Sequence, residues 1–424
     1  MGSDNRYLTI LITDNHLQKG AIEMKSYRLS TDISNIGNHL LNTRNGDVFE
    51  IDDDARSVLS TLALDNKISG EETPIIRFMI DEGILACPDI NHEHDKFHLQ
   101  WHLLNNCNLR CKHCYDSKNP TVPLTFEQMR RVVDDYVLFV KKMDMDGEIS
   151  LTGGEPMLVK HLPELIEYIK SRDVFISTFI LTNGTIPFSK EQLYLFKKHD
   201  IGVQISIDGM GEVNDSIRGD GVFDKCRENL RRLHAQGINT SVHYVIMRRN
   251  VADLEPFILE MDRLHVKRIH FSTLVPIGPG ADEDVVTPIE SKRLMEWLMR
   301  YQDNVDVSVV GRRPLWTLVG SDGFCPVGYK TLTIYADGTA FPCRRLPIPI
   351  GDIRTDSFFK IWFTSELLEK MRNREKFVKI CGTCAKAEEC GGCRAIAYAA
   401  SGDPFAPDPS CWLIDSQYNK NERG

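Results

Sequence analysis

The sequence predicts an α/β protein whose largest part is a parallel β-sheet followed by a cysteine-rich region. Between residues 96 and 310, short segments with strand character alternate with segments whose apolar residues recur at helical spacing. Alternation of this kind is typical of parallel strands joined by right-handed crossovers. The chain has 424 residues, enough for two or three domains, and its 12 cysteines concentrate in two groups.

Strand segments and the helices between them predict a partial (β/α)6 barrel over residues 96–310. The predicted strands are 98–104, 148–151, 175–181, 202–207, 240–246 and 268–271. The predicted helices are 125–143, 162–171, 190–199, 223–236 and 252–264. In such barrels the loops at the carboxyl ends of the strands carry the chemistry, so functional residues are expected there.

Two further domains are predicted on either side of the barrel. Residues 1–95 have the pattern of a hairpin followed by two helices. Asn45-Gly46 suits the centre of a tight hairpin turn, and Asp52-Asp53-Asp54 favours the start of the first helix. The second helix is predicted from Pro74 to Gly83. Residues 311–424 combine short elements with most of the cysteines and form the third predicted domain.

The composition indicates a cytoplasmic protein that binds neither nucleic acid nor membranes. The net charge is −9, which offers no basic surface for a phosphate backbone. No apolar run approaches the roughly 20 residues of a membrane-spanning helix, and the first residues lack a signal-peptide pattern. In a reducing compartment, clustered cysteines indicate metal binding more often than disulfides.

The first cysteine group lies directly after the first predicted barrel strand. Cys107, Cys111 and Cys114 can bind three corners of a four-iron cluster, and no fourth cysteine is near enough in sequence to close it. A zinc loop and a buried cysteine cluster are the alternatives, although structural zinc sites usually have four ligands. Cys87 and Cys226 stand apart and are interpreted as small apolar residues.

The second cysteine group occupies the last hundred residues and is large enough for nearly two four-iron clusters. Its members are Cys325, Cys343, Cys381, Cys384, Cys390, Cys393 and Cys411. The C-x2-C pairs in this group also fit zinc ribbons, which remain the alternative.

Two motifs together resemble the radical S-adenosylmethionine (SAM) enzymes. They are the C-x3-C-x2-C loop, with Tyr115 behind its last cysteine, and Gly153-Gly154-Glu155-Pro156 at the end of the second strand. The resemblance implies that Cys107, Cys111 and Cys114 hold a [4Fe–4S] cluster whose open iron binds SAM. In that family, one-electron transfer cleaves SAM to a 5′-deoxyadenosyl radical that abstracts hydrogen.

The same resemblance implies SAM contacts from loops that follow later strands. The residues concerned are Gly153, Gly154, Glu155, Ser206, Asp208 and Arg218. The first three would hold the methionine amino group, the next two the ribose, and the arginine would lie near SAM. Turn and cap chemistry is the alternative for the last three and for Thr182-Asn183-Gly184 on the same rim.

Beside such a barrel, the second cysteine group resembles the SPASM extension, which carries two auxiliary [4Fe–4S] clusters. The match implies an inner cluster on Cys325, Cys343 and Cys393. It implies an outer cluster on Cys381, Cys384, Cys390 and Cys411. The inner cluster is one thiolate short, so we expect an iron that is open to substrate or held by another ligand. Completion of that cluster by Cys226 or Cys87 would contradict this expectation.

The N-terminal segment 25–90 is similar to the winged-helix-like, PqqD-like elements that bind leader peptides by strand addition. A purely structural domain is the alternative. Together, the three parts resemble maturases of ribosomally made peptides, as does the segment 203–210, which is similar to sactipeptide synthases. The resemblance implies hydrogen abstraction and a thioether, ether or carbon–carbon crosslink in a precursor peptide. Flavodoxin or ferredoxin would donate electrons, and the chemistry would be anaerobic.

Three other functions remain open at this point. The ending Gly402-Asp403 to Cys411 also resembles haem-pathway enzymes that modify tetrapyrrole side chains. A maturase of a whole protein, such as a sulfatase or a dehydrogenase, is the second. An iron–sulfur electron carrier or zinc-stabilised binding protein without catalysis is the third, and it would not cleave SAM.

Overall fold

The computed structural model places most of the chain and divides it into two compact units, residues 1–94 and 95–424. We describe each unit by itself. The described residues are 25–29, 33–36, 39–42, 48–65, 68–70, 73–81, 84–86, 96–116, 121–311, 314–320, 325–374, 377, 380–387 and 390–414.

The first unit combines two small antiparallel sheets with two helices. Its strands are β1 (Lys25–Leu29), β2 (Ile33–Ile36), β3 (His39–Asn42), β4 (Val48–Glu50), β5 (Ile68–Gly70) and β6 (Leu85–Ala86). One sheet has the order β5-β1-β6 and the other β2-β3-β4. The predicted hairpin is confirmed by the antiparallel pairing of β3 with β4, in which His39 lies opposite Glu50. The turn residues themselves and Gly83 fall outside the described residues.

Both predicted helices of this unit are present, as α1 (Asp53–Asp65) and α2 (Pro74–Asp81). The carboxylate of Asp52 accepts the Ala55 N–H at 2.8 Å and so caps α1, as its position before the helix predicts. A small apolar core joins the helices to the sheets. Its buried members are Leu40, Ile51, Ile76, Met79, Ile84 and Leu85.

The second unit is built on one ten-stranded sheet. Its strands are β7 (Lys96–His102), β8 (Asp146–Thr152), β9 (Ile176–Thr182), β10 (Gly202–Ser206), β11 (Thr240–Ile246), β12 (Arg268–Thr273), β13 (Ser308–Gly311), β14 (Thr331–Ile334), β15 (Thr339–Phe341) and β16 (Gly351–Asp352). Their order is β13-β12-β11-β10-β9-β8-β7-β14-β15-β16. The strands from β13 to β14 run parallel, and β15 and β16 add an antiparallel edge. The parallel α/β fold is therefore confirmed, as an open sheet.

The crossovers between the parallel strands are helical. The helices of this unit are α3 (Phe126–Lys142), α4 (Leu162–Lys170), α5 (Lys190–Lys198), α6 (Gly211–Arg218), α7 (Val222–Ala235), α8 (Leu254–Arg263), α9 (Pro288–Tyr301), α10 (Phe358–Thr364), α11 (Glu366–Arg372), α12 (Ile380–Thr383) and α13 (Arg394–Ser401). The five predicted barrel helices are confirmed as α3, α4, α5, α7 and α8. None of these helices is long and apolar enough to cross a membrane, within the part of the chain that the structure describes.

The two faces of the sheet differ in polarity. Phe97 on β7 is fully buried and packs edge-on against Phe139 of α3, with ring centres 4.7 Å apart. The alternate residues of β7 point to the opposite face, which we call the inner face. There His98 contacts Ser150 of β8 at 2.9 Å and Thr331 of β14 at 3.2 Å. The inner face is therefore polar, whereas the outer face forms the apolar core under the helices.

The sheet continues across the predicted boundary between residues 310 and 311. Strand β14 belongs to the cysteine-rich region, yet it pairs in parallel with β7, with Thr331 opposite His98. The two predicted domains therefore share one sheet and differ in their cysteine content.

Candidate active site

The first cysteine group lies on the loop after β7, at the carboxyl edge of the sheet. Cys107, Cys111 and Cys114 are all partly buried. Burial raises the pKa of the Cys111 thiol to about 11, Arg218 opposes this rise, and Cys114 and Cys107 add to it. The three sulfurs are therefore close enough to influence one another, and a positive charge lies beside them. Three thiols on one loop are the donor set that a cluster with one open iron requires.

Gly153 and Gly154 allow the end of β8 to approach this loop. A side-chain carbon at Gly154 would lie 2.0 Å from the carbonyl oxygen of Asn106. The Gly154 N–H donates to Leu104 O at 2.6 Å, and the Glu155 N–H donates to Asn106 O at 2.9 Å. The sequence analysis attributed these glycines to close approach of a ligand. In the structure they permit close approach of two backbone segments, which fixes the loop that carries Cys107.

Glu155 is fully buried, and both of its carboxylate oxygens accept hydrogen bonds from the chain. The donors are Thr182 Oγ1 at 2.6 Å, Asn183 N at 2.8 Å and Met157 N at 3.1 Å. Burial raises the pKa of Glu155, and these three hydrogen bonds act in the opposite direction. The structure thus gives the Glu155 side chain a positioning role at the end of β9, and its contact to SAM stays a prediction.

Asn183 links Glu155 to the cysteine loop. Its Nδ2 donates to Asn108 Oδ1 at 2.8 Å and lies 3.7 Å from the sulfur of Cys107. Thr185 completes the network, because its Oγ1 donates to Asn183 Oδ1 at 2.6 Å and accepts from Asn108 at 2.9 Å. The sequence analysis placed Asn183 on this rim but missed Asn108 and its contact to the loop.

Asp208 and Arg218 form a buried ion pair next to the cysteines. Arg218 Nε lies 2.7 Å from Asp208 Oδ2, and His113 Nε2 lies 3.2 Å from the same oxygen. The guanidinium of Arg218 is also 3.9 Å from the sulfur of Cys111. Burial lowers the pKa of His113 to about 4, the negative charge of Asp208 partly offsets this, and Arg218 lowers it further. The sequence analysis did not single out His113, although its place between two cysteines was a signal.

The two residues predicted to contact the ribose differ in their solvent exposure. Asp208 is completely buried, and its Oδ1 accepts the Val245 N–H at 2.7 Å. Ser206 is partly exposed at the end of β10, where it lies opposite His243 of β11. In this arrangement Asp208 holds Arg218, while Ser206 remains accessible at the rim. Both ligand roles stay predictions.

A group of aromatic and basic side chains covers the inner face next to the cysteine loop. The ring of His102 stacks on Tyr335 with centres 4.3 Å apart, and Tyr115 Oη lies 3.4 Å from His102 Nε2. Burial lowers the pKa of His102 to about 3, and Arg344 contributes to the same effect. His98 is satisfied by Ser150 and Thr331, whereas His102 is part of this buried group.

The cysteines of the second group lie in two places, and their assignment to two clusters stays a prediction. Burial raises the pKa of Cys325 to about 11, and the nearby Cys393 and Cys343 add to this effect. The other set lines a small cavity of about 30 Å³. Its members are Cys381, Cys384, Cys390 and Cys411. Among the described residues, no three side chains of His, Cys, Asp or Glu converge on a single ion.

Asp408 connects the two sets and was missed by the sequence analysis. It is fully buried beside the small cavity, its Oδ2 accepts the Cys393 N–H at 2.7 Å, and its Oδ1 accepts the Ser410 N–H at 2.9 Å. Gly391 and Gly392 have φ values of 64° and 65°, so the backbone between Cys390 and Cys393 follows a left-handed path that favours glycine.

Cys226 does not belong to the inner set. Its thiol is fully buried on α7 in the main core and donates to the carbonyl oxygen of Asn183 at 3.1 Å. Cys87 lies outside the described residues. The interpretation of Cys226 as a buried, small residue therefore agrees with its surroundings.

The open parallel sheet with a three-cysteine loop at its carboxyl edge defines a radical SAM fold, and the second group defines a cluster-binding extension. Sequence comparison matches residues 101–261 to the radical SAM superfamily and residues 325–385 to the SPASM iron–sulfur cluster-binding domain. The chain belongs to the radical SAM superfamily and is an enzyme. It binds SAM and a [4Fe–4S] cluster in the first region and auxiliary iron–sulfur clusters in the second.

Curated relatives include AdoMet-dependent heme synthases and mycofactocin maturases. The AdoMet-dependent heme synthase of Methanosarcina barkeri is 28% identical over 351 residues, which cover 74% of this chain and 95% of that protein. The mycofactocin maturase MftC of Mycobacterium tuberculosis is 30% identical over 332 residues, which cover 74% of this chain and 82% of that protein.

Among solved structures, SuiB of Streptococcus suis bound to S-adenosylmethionine has the same fold, with a TM-score of 0.62 and 14% identity. The match covers 91% of this chain and 100% of that one. SuiB has also been solved with its precursor peptide SuiA bound.

Proposed function

We propose that this enzyme is a peptide maturase that installs a thioether, ether or carbon–carbon crosslink in a ribosomally made precursor peptide. One observation carries the proposal: a compact unit with its own core, residues 1–94, precedes the radical SAM unit. The likeness to SuiB covers 91% of the chain and therefore includes part of this first unit. A mycofactocin maturase among the relatives supports the same class of substrate.

In this proposal the cysteines have the roles implied by their motifs. Cys107, Cys111 and Cys114 hold the cluster that binds SAM, and the seven cysteines of the second group hold two auxiliary clusters. When bound, SAM and the clusters would supply one-electron chemistry: abstraction of one hydrogen atom from the peptide, and uptake of the electron that remains after the second hydrogen leaves as a proton. Flavodoxin or ferredoxin is the proposed external electron donor.

The chain's own residues fix the geometry around these groups. Glu155 and Asn183 hold the loop at Cys107, and the Asp208–Arg218 pair provides a fixed positive charge beside Cys111. A buried, charge-balanced pair keeps its position with little reorganisation, which favours precise placement of a bound cofactor. Ser206 and the glycines at 153 and 154 complete the proposed SAM site.

The first unit is proposed as a leader-peptide recognition element. Strand β4 is at the edge of the β2-β3-β4 sheet, and Val48 on it is 58% exposed. An edge strand presents main-chain donors and acceptors, to which an extended peptide can add as a further strand. The leader would bind there through main-chain hydrogen bonds.

The test combines peptide binding with turnover. Val48→Pro removes a main-chain donor from the edge strand and should weaken binding of a labelled leader by about tenfold or more, while the matched control Val48→Thr should not. The peptide is the candidate precursor encoded next to the gene, and anaerobic turnover is followed by mass spectrometry. We expect a loss of two hydrogens together with 5′-deoxyadenosine. No change in peptide mass would overturn the proposal.

A second candidate is a tetrapyrrole side-chain-modifying enzyme. The observation that favours it is the match to AdoMet-dependent heme synthase over 95% of that protein's length. This function does not require a leader-binding unit, so a variant without residues 1–94 should keep its activity on the tetrapyrrole. The same variant should lose leader-dependent activity if the first proposal is correct.

A further inference from the structure

Two adjacent arginines, Arg344 and Arg345, follow the inner-set Cys343 and lie close to the radical site. The guanidinium carbon of Arg344 is 5.7 Å from the ring centre of Tyr115, the residue after Cys114. The backbone of Arg344 is fixed as well, because its carbonyl oxygen accepts the Tyr335 O–H at 2.8 Å. The pair therefore lies between the second cysteine group and the SAM-binding loop.

Both arginines also affect the pKa of a histidine on strand β11. Burial lowers the pKa of His243 on β11, and the positive charges of Arg344 and Arg345 lower it further. His243 lies opposite Ser206, the accessible residue at the rim of the proposed SAM site. A molecule held by the two arginines would therefore reach the region where hydrogen abstraction takes place.

The charge of this pair is not balanced within the described residues. No carboxylate among them forms an ion pair with Arg344 or Arg345, and Arg345 Nε is buried without a hydrogen-bond partner. Two other buried arginines of the described residues do have partners. Arg218 pairs with Asp208, and Arg394 donates to the carbonyl oxygens of Pro404 and Ala406 at 3.0 and 2.8 Å.

Unpaired, partly buried guanidinium groups favour an anion of matching geometry. Each guanidinium has five N–H donors in a planar fork that suits a carboxylate, and hydrogen bonds between charged groups strengthen where water is excluded. The contact of Arg344 with the face of Tyr115 also restricts the orientation of its fork. The inner face adds His102 and His243 near the pair, and burial lowers the pKa of both.

We propose that Arg344 and Arg345 form a carboxylate-binding subsite that anchors the substrate over the inner face, next to SAM. The inference rests on the proposed function of the radical site and names the chemistry of its substrate. The carboxylate belongs to an Asp, a Glu or the C-terminus of a peptide, or to an acidic side chain of a tetrapyrrole. The subsite recognises this shared group, and the experiment separates the two sources.

The experiment measures binding to the reconstituted full-length enzyme under anaerobic conditions, with SAM present. The acidic probes are the candidate precursor peptide and coproporphyrin III. Their neutral counterparts are the peptide with Asn, Gln and an amidated C-terminus in place of its carboxylates, and the porphyrin tetramethyl ester. We expect the enzyme to prefer one acidic probe over its neutral counterpart by about 10-fold to 100-fold, as expected for charge-assisted hydrogen bonds.

The double variant R344Q/R345Q should lose this preference while its affinity for SAM changes by less than about twofold. The matched control is R354Q, because Arg354 is about half exposed and pairs with Asp352 at 2.5 Å. R354Q should keep the preference for the acidic probe. Loss of the preference in both variants would show a nonspecific effect of charge and would overturn the subsite.

Three further results would overturn the inference. One is equal binding of acidic and neutral probes, or binding of neither acidic probe, by the unmodified enzyme. Another is weaker SAM binding in R344Q/R345Q with the acid preference intact, which would assign the pair to the carboxylate of SAM. The third is a shifted auxiliary-cluster potential with the acid preference intact, which would make the pair a counter-charge of that cluster.

The proposed carboxylate subsite and the proposed peptide maturase function can fail separately. If the arginine-dependent preference appears with coproporphyrin III and not with the peptide, the subsite stands and the peptide maturase proposal falls. If the peptide is crosslinked but its carboxylates do not affect binding, the maturase proposal stands and the subsite falls.

Discussion

Asp208 balances the positive charge of Arg218 beside the cysteine loop. Its Oδ2 lies 2.7 Å from Arg218 and 3.2 Å from His113, and the residue is completely buried. Arg218 in turn is 3.9 Å from the Cys111 sulfur. Without the carboxylate, the guanidinium would be a buried charge with only sulfur and imidazole around it, which is a costly arrangement.

We therefore expect Asp208→Asn to lower the free energy of unfolding by about 3–5 kcal/mol, because it removes one partner of a buried pair. The measurement is urea unfolding of the cluster-free protein, together with the rate of SAM cleavage after reconstitution. Asp224→Asn is the control, since Asp224 is 73% exposed in its pair with Arg227 and should cost less than about 1 kcal/mol. Equal costs for the two variants would contradict the assignment of Asp208.

His102 gives a second prediction at this scale, through its dependence on pH. Burial, with a contribution from Arg344, lowers its pKa from 6.5 to about 3. The unfolded chain therefore takes up a proton between these values and the folded chain does not, so stability is complete above pH 6.5 and falls as the pH decreases. The expected slope is about 1.4 kcal/mol per pH unit.

The variant His102→Gln should remove the contribution of His102, while those of His113 and His243 remain. Between pH 6.5 and 5, the unmodified protein should lose about 2 kcal/mol more stability than the variant. Tyr335→Phe is the control, because it keeps the ring that stacks on His102 and should keep the slope. Urea unfolding at pH 6.5 and pH 5 measures the stability of the unmodified protein and of the two variants. The same slope in His102→Gln and the unmodified protein would rule out this account.

At the scale of elements, the contact between the end of β8 and the cysteine loop depends on the absence of a side chain. Gly154→Ala places a carbon 2.0 Å from Asn106 O and should push the loop away. We expect the variant to lose the SAM-binding cluster, and with it about a third of its iron and its SAM cleavage. Iron analysis after reconstitution measures this.

Gly237→Ala is the matched control for Gly154→Ala. Gly237 has a φ of 68° with open space around it, so alanine there brings strain of about 1 kcal/mol without a clash. Its iron content should stay complete. A complete iron content in Gly154→Ala as well would mean that the loop tolerates the displacement.

Sequence periodicity predicted the strands and most helices correctly because their buried faces are regular. Helix α6 was missed: Arg218 was expected on a loop after a strand, and it is the last residue of this helix. The helix forms because Asn214 is buried and its Oδ1 accepts the Asp208 N–H at 3.0 Å. Tertiary contacts of this kind override local turn preferences and are not visible in the sequence.

Some residues of the candidate site were predictable from the sequence and others were not, again because the latter depend on tertiary contacts. The cysteines and glycines are recognisable from their spacing in short motifs. The group around His102, Tyr335 and Arg344 is not, because it depends on the pairing of β14 with β7. The hydrogen bond between Thr331 and His98 in this pair joins residues 233 positions apart.

At the scale of the whole molecule, the cysteine-rich region should depend on its clusters more than the sheet does. Several of its buried side chains, such as Leu332, Phe358 and Trp362, belong to the main core, and the apolar core that it has of its own is small. The buried members are Val275, Leu346, Met371, Cys393, Ala395 and Ile396. Cluster-bound thiolates join segments that bury little apolar surface of their own. Loss of the clusters should therefore release these segments.

We expect removal of iron to make residues 380–414 sensitive to trypsin, while residues 121–311 and strand β14 stay protected by the main core. Limited proteolysis with mass spectrometry compares the cluster-free and reconstituted proteins. Reconstitution should restore resistance. Equal cleavage patterns before and after iron removal would show that the C-terminal fold does not need its clusters.

The pairing of β14 with β7 has a consequence for engineering this enzyme. A chimera that exchanges the SPASM region at residue 311 would replace the strand beside β7 by a strand of the donor protein, which would have to pair with β7 of the host. An exchange that begins after β16, at residue 352, would keep the host sheet intact but would leave Cys325 and Cys343 with the host. A functional chimera therefore has to take the parallel sheet and the cysteine-rich region from the same protein.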